Sequence, residues 1–266
     1  LTVRHFRYRF FMYLESENNL FKSLKILKKN FSVQGIKAEF EAEGSNQFDI
    51  YKLRSLTNKL NIKLFIKIGG VEAVNDIYFC AEVGADGIIA PMVESKFAIK
   101  KFLDSVNKLK LHKKPHLSIN IETVNAVNNI EEIIKLAKGN INNITIGRSD
   151  LASSHFKDDI SQNSLIIENK IFLISKKAVQ SKLTCTVGGG IDMNTIKLYQ
   201  NNNNIKLVKK LETRKVIFLK STMLRNSNAL NAALDFEKNY VLYKKEINNL
   251  KLKSEISRLT KLQTRR

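Results

Sequence analysis

Short apolar runs alternate with longer amphipathic stretches along most of the chain, the pattern of repeated βα units. The runs predict strands over 35–40, 64–68, 87–91, 117–121, 143–146, 183–187 and 215–219. Between them, apolar residues spaced by three and four predict helices over 49–60, 71–83, 96–109, 126–138, 165–180 and 193–200. In 71–83, Val74, Ile77, Tyr78 and Ala81 form one apolar face, and Gly84 stands where a helix C-cap is expected. Short, mostly β-branched strands separated by helices imply a parallel sheet covered by helices. The fold expected is α/β, a closed (β/α)8 TIM barrel, with an open doubly wound sheet as its rival. Only seven strands are visible, and the eighth is sought in 7–13 or among the Asn-rich residues near Leu207.

The last 41 residues read differently. From 226 to 266 there is no Pro or Gly, and the stretch reads as one or two long helices starting near Asn226 or Ser227. Leu252, Ile256, Leu259 and Leu262 form an apolar stripe on its last part. The expected division is a barrel with an N-terminal extension over 1–225 and a helical tail over 226–266. The tail is expected to pack across the barrel or onto a neighbouring subunit, which favours a homo-oligomer.

Composition narrows the class. A chain of 266 residues matches one barrel domain in size. No apolar run approaches the roughly 20 residues that cross a bilayer, and the basic, aromatic start lacks the apolar core of a signal peptide. Cys80 and Cys185 lie far apart inside predicted core elements, as in a reduced cytoplasmic protein. The formal charge of +20 attracts anions. It is spread along the chain without a nucleic-acid motif, so small anionic substrates are preferred to nucleic acid as partners.

Candidate chemistry gathers at the predicted strand C-termini, where barrels place their active sites. Glu39, Glu41 and Glu43 follow the first strand, and Lys67, Gly69 and Gly70 end the second. Glu122 ends Ser-Ile-Asn-Ile-Glu, and Asp150 ends Ile-Gly-Arg-Ser-Asp. Two carboxylates on successive strand ends suit Mg²⁺ or Mn²⁺, which take oxygen ligands and complete the shell with water or substrate. Asp150 alone reads equally well as an N-cap. Gly188, Gly189 and Gly190 would let backbone approach an anion or simply make a tight turn. His155 has no defined partner, and Arg214 either binds an anionic group or pairs with Glu212.

Three stretches in this order carry a family resemblance: Ala-Asp-Gly-Ile-Ile-Ala-Pro-Met-Val-Glu-Ser at 85–95, Ile-Glu-Thr at 121–123 and Gly-Arg-Ser-Asp-Leu-Ala at 147–152. Together they resemble the HpcH/HpaI aldolase and citrate lyase β-subunit family, a branch of the pyruvate kinase-like, phosphoenolpyruvate-utilising barrels. The resemblance implies that Glu122 and Asp150 bind the metal, and that backbone around Gly147, Arg148 and Ser149 receives the carboxylate of a pyruvate-like ligand. It implies a metal-dependent carbon–carbon lyase or aldolase acting on a 2-oxo acid or a related acyl thioester. Lys67 and Arg148 would then supply positive charge, Arg214 would bind substrate, and Glu41 or Glu43 would move protons.

Two departures stand out. Lys67 occupies a position where the family has Arg, keeping the charge but losing the bidentate fork. No His accompanies Glu39, Glu41 and Glu43, where many of the family's aldolases carry an acid–His pair. A second reading is therefore a non-catalytic, ligand-binding barrel that has lost its acid–base residues. A third is a basic protein that associates with RNA or membranes through salt-sensitive contacts.

Overall fold

The computed structural model describes residues 14–264. Eight strands close into a barrel in chain order. They are β1 (Gly35–Glu39), β2 (Leu64–Lys67), β3 (Gly87–Ala90), β4 (His116–Ile121), β5 (Asn143–Gly147), β6 (Thr184–Gly188), β7 (Lys210–Glu212) and β8 (Val216–Leu219). The first seven run parallel, but β8 pairs antiparallel with both β7 and β1. The all-parallel expectation therefore fails at the last strand. A hairpin replaces the final crossover: Glu212 lies opposite Ile217, and the Thr213 hydroxyl accepts the Val216 N–H. The strand sought near Leu207 is the three-residue β7, and the other candidate, 7–13, lies outside the described residues.

The helices are α1 (Glu15–Phe31), α2 (Gln47–Lys59), α3 (Val74–Glu82), α4 (Lys96–Asn107), α5 (Val124–Asn128), α6 (Ile130–Ala137), α7 (Arg148–Ser153), α8 (Leu165–Gln180), α9 (Met193–Gln200), α10 (Lys220–Arg225) and α11 (Asn228–Gln263). Local chemistry sets their ends. Asn46 and Asp49 close a capping box on α2. Gly84 ends α3 at φ +66°, and the Ala85 N–H reaches back to the Cys80 carbonyl. The helix expected over 126–138 is two, α5 and α6, meeting at Asn129.

Strand alternation sends apolar side chains outward to the helices and polar ones inward. On β4, Leu117, Ile119 and Ile121 share the outer face, while Ser118, Asn120 and Glu122 share the inner one. The mid-barrel is correspondingly a hydrogen-bond network. The Asn143 amide donates to Ser118 Oγ at 2.9 Å and to Thr145 Oγ1 at 3.2 Å, and its oxygen accepts from Thr184 and Thr186. Towards the strand N-termini the lumen turns apolar, with Phe65, Ile89 and Ile217 in one cluster. The Phe65 ring lies between two glycines, and a Cβ on Gly35 or Gly87 would come within 2.5 Å or 2.4 Å of a ring carbon.

α1 and α11 pack against each other beside the barrel. α1, absent from the sequence-based helices, buries Leu20, Leu24, Leu27 and Phe31. α11 is 36 residues long and buries Ala229, Leu230, Ala233, Phe236, Tyr240 and Tyr243. The stripe Leu252, Ile256, Leu259 and Leu262 is exposed. Among the described residues, no helix is long and apolar enough to cross a membrane.

Two outcomes test this packing. Gly87→Ala should destabilise the fold by about 1–3 kcal/mol through overpacking, with only part of the loss recovered in Gly87→Ala/Phe65→Leu, because the new Cβ still stands 2.9 Å from the His116 carbonyl. Denaturant midpoints of both variants check it. His116 sits edge-on to Phe65, and burial, with Lys210 and Lys63 nearby, lowers its pKa from 6.5 to about 4. The unfolded chain therefore takes up the proton first. Stability should fall as pH drops from about 6.5 towards 4, and His116→Gln should flatten that part of the profile.

Candidate active site at the strand C-termini

A cavity of about 360 Å³ opens at the C-terminal end of the barrel. Its walls include Lys37, Glu39, Lys67, Asn120, Glu122, Gly147, Ser149, Asp150, Glu212, Arg214 and Glu237. A larger cavity, about 700 Å³, lies at the opposite end near Lys63 and His116 and holds none of these residues.

Charge pairs organise the mouth. Lys37 on β1 meets Glu212 on β7 at 2.7 Å. Burial opposes the Lys37 charge, but Glu212, with Glu39 and Glu43, outweighs it and the pKa is raised. Glu39, two residues further along β1, bonds Lys67 at 2.8 Å and Arg214 at 3.1 Å. Its burial would raise the pKa, yet Lys67, Lys37 and Arg214 together hold it below the usual carboxylate range. Arg214 also approaches Glu237 of α11 at 3.8 Å.

Glu122 is held more sparingly. One carboxylate oxygen accepts the Met92 N–H at 2.9 Å and the other accepts the Asn120 amide at 3.1 Å. Burial raises its pKa, partly offset by the Met92 bond and Lys67 and reinforced by Asp150. The β5 end leaves room for it, since a Cβ on Gly147 would stand 2.5 Å from Glu122 Oε2. A carboxylate oxygen carries two acceptor sites, so each Glu122 oxygen keeps one free. With the exposed Asp150 on the same cavity, the pair offers the hard oxygen donors that Mg²⁺ or Mn²⁺ takes. Among the described residues, no group of three or more His, Cys, Asp or Glu is arranged to hold a metal ion, so a cation here would take its remaining ligands from water and substrate.

Of the residues singled out from sequence, Glu39, Lys67, Glu122, Gly147, Ser149, Asp150, Gly188, Gly189, Gly190 and Arg214 line this cavity. Arg148 does not. Its guanidinium is fully buried, bonds the Gly188 and Gly189 carbonyls and the Asn163 side chain, and stacks on Tyr199. The charge expected of it in the site is spent on holding the triple-glycine turn. That turn packs against α7, where a Cβ on Gly189 would come within 2.6 Å of the Ser149 nitrogen. Glu43 is locked by Lys215 and buried, and Glu41 stands outside the cavity beside Gly69. Neither is placed to move protons in it, and His155 does not line it either.

Sequence reasoning passed over Lys37 and Asn120, and noted Glu39 without giving it a role. Lys37 and Asn120 share the strand parity of Glu39 and Glu122, and that signal would have found them. Glu237 had no local signal, because only the docking of α11 brings it to the barrel. Arg214 pairs with Glu39 and Glu237, while Glu212 takes Lys37.

The same architecture recurs in solved structures. An HpcH/HpaI aldolase from Desulfitobacterium hafniense is 13% identical, with a TM-score of 0.59 over 73% of this chain and 81% of that one. An HpcH/HpaI aldolase/citrate lyase family protein from Burkholderia cenocepacia is 12% identical, with a TM-score of 0.58 over 84% of this chain and 90% of that one. A citrate lyase from Burkholderia xenovorans is 12% identical, with a TM-score of 0.58 over 73% of this chain and 69% of that one. At these identities the likeness concerns the fold. No functionally curated protein matches the chain by sequence. The family model for HpcH/HpaI aldolase/citrate lyase matches residues 56–215, more than half of the chain, from the last turn of α2 to the β7–β8 hairpin. The chain therefore belongs to the HpcH/HpaI aldolase/citrate lyase family.

Proposed function

We propose that the chain is a divalent-metal-dependent carbon–carbon lyase or aldolase acting on a 2-oxo acid or a related acyl thioester. The observation that carries this reading is the meeting of Glu122, Asp150, Lys67 and the Gly147–Ser149 turn on one cavity at the strand C-termini. Glu122 and Asp150 would hold Mg²⁺ or Mn²⁺. An ion held there would supply Lewis acidity to the 2-oxo group and to the enolate left when the neighbouring carbon–carbon bond breaks.

The protein's own groups do the rest. Asn120 donates to Glu122 and fixes its orientation. Lys67 adds positive charge on the side where the oxyanion develops, and Glu39 keeps its ammonium there. Gly147 and Ser149 offer backbone to the substrate carboxylate, and Arg214 offers a half-exposed guanidinium to an anionic substituent.

A second reading, a ligand-binding barrel without catalysis, draws support from two features. Lys67 is already paired with Glu39, and neither Glu41 nor Glu43 reaches the cavity. Both readings describe a cytoplasmic protein that binds small anions. Self-association through the exposed Leu252, Ile256, Leu259 and Leu262 stripe belongs to both.

Calorimetric titration separates the readings. The metal-free protein should bind oxalate, an enolate mimic, only after Mg²⁺ or Mn²⁺ is added. Glu122→Gln and Asp150→Asn should each weaken metal binding by about tenfold or more, with circular dichroism unchanged. Gly147→Ala should also weaken it, by displacing Glu122. Metal affinity unchanged in both carboxylate variants would rule out the metal site. Metal-linked oxalate binding without turnover of any 2-oxo acid would favour the non-catalytic barrel. Sedimentation should show a dimer or larger, reduced to monomer by Leu252→Lys/Leu259→Lys; a monomeric wild type would exclude the oligomer.

A further inference from the structure

We propose that Glu237, carried by the C-terminal helix, is the group that exchanges the proton with the substrate hydroxyl in the aldol step. The inference rests on the aldolase reading of the site and adds a residue that the family-matched segment does not contain.

The other cavity carboxylates are committed. Glu39 holds Lys67 and Arg214, and Glu212 holds Lys37. Glu122 and Asp150 form the cation pair proposed above. Among the described residues, Glu237 has only the long approach to Arg214, 3.8 Å from Nε and beyond hydrogen-bond reach. Its side chain keeps 27% of its surface open.

Its placement is fixed by the helix. Ala233, Phe236 and Tyr240 are buried, so the α11 backbone cannot turn Glu237 away from the mouth. Glu237 also stands where two cavities meet. Ala42, Arg214 and Glu237 line both the barrel-mouth cavity and a second one, about 500 Å³, that runs along α11 past Tyr240, Val241, Lys244 and Lys245. A substrate whose 2-oxo acid end lies at Glu122 and Asp150 would extend its other half towards this junction. There the hydroxyl-bearing carbon would come beside Glu237.

The chemistry fits a carboxyl group in that position. In the cleavage direction the hydroxyl proton moves to the Glu237 carboxylate, and the O–H pair becomes the new carbonyl π bond. The carbon–carbon bonding pair becomes that of the enolate, which then takes a solvent proton at C3 to give the 2-oxo acid. Glu237 returns its proton to solvent, or to the aldehyde oxygen in the reverse direction. Burial raises the Glu237 pKa; Arg214, Lys215 and Lys37 act against that, and Glu43 acts with it. A raised carboxyl pKa suits proton exchange near neutral pH.

Two reactions of one enolate site test the role. Condensation of pyruvate with glyceraldehyde needs the proton on the acceptor oxygen, whereas decarboxylation of oxaloacetate reaches the same enolate without it. Glu237→Gln should lower kcat for condensation by about 10²–10⁴-fold. Decarboxylation should stay within about threefold, and metal-linked oxalate affinity should be unchanged. Glu237→Asp should recover part of the rate, and the fall in the wild-type condensation rate as pH rises through the Glu237 pKa should vanish in Glu237→Gln. Condensation unaffected by the substitution, or both reactions falling together, overturns the assignment. A wild type that decarboxylates oxaloacetate but condenses pyruvate with no aldehyde removes the aldol step and this role with it. Failure of oxalate to bind with metal strikes the underlying reading of the site, and is seen separately in the calorimetry.

Discussion

Charge held inside the barrel is the constraint on which the rest of the site depends. A lone charge in a dry interior costs several kcal/mol, and breaking a buried pair strands its partner. Lys37 and Glu212 face each other across the lumen, and Glu39 sits between Lys67 and Arg214. With every one of these groups matched, the mouth can be polar without flooding or collapsing. Polar side chains two residues apart on one strand therefore act as successive floors of a column. Asn143 and its hydroxyl partners form the neutral floor, the charge pairs form the one above, and Glu122 opens at the top with spare acceptor capacity.

Glycine supplies the complementary constraint. Phe65 fills the base of the lumen because Gly35 and Gly87 have no Cβ. At the other end Gly147 and Gly188 give the same freedom to Glu122 and Glu212, the two glycines being paired across β5 and β6. Large or charged side chains faced by glycine on a neighbouring strand are how so narrow a barrel accommodates both an aromatic plug and a reactive mouth. Arg148 belongs to this scaffold. It binds the carbonyls of the triple-glycine turn and lets α7 and that turn approach closely.

The last strand and last helix complete the mouth in an unusual way. β8 returns by a hairpin, so no crossover helix follows β7, and the chain reaches α11 through the short α10. α11 then packs on α1 and carries Leu234 and Glu237 to the cavity wall. Over its N-terminal half α11 buries Ala229, Leu230, Ala233, Phe236, Tyr240 and Tyr243. Its distal apolar stripe stays exposed. The tail's placement and the site's completeness are the same packing event.

Local patterning was enough for most of the elements and most of the cavity. Periods of two and of three to four residues are local consequences of pleat and helix geometry, so seven strands and six helices were legible, as was the Glu122 and Asp150 pair at strand ends. β7 was not, because three residues reading Lys-Leu-Glu carry too little periodicity to stand out from the polar stretch before them. The direction of β8 was not either, since strand polarity leaves no mark in a four-residue apolar run. Tertiary structure alone decided which charges meet. Lys37 lies 175 residues from Glu212, and Glu39 lies equally far from Arg214, so closure of the barrel, and no local pattern, matches them. It also decided that Arg148 and Glu43 turn to structural partners, and that Glu237 reaches the mouth. Burial converts a charged side chain into an obligation to find a partner, and which partner is within reach is a property of the closed barrel.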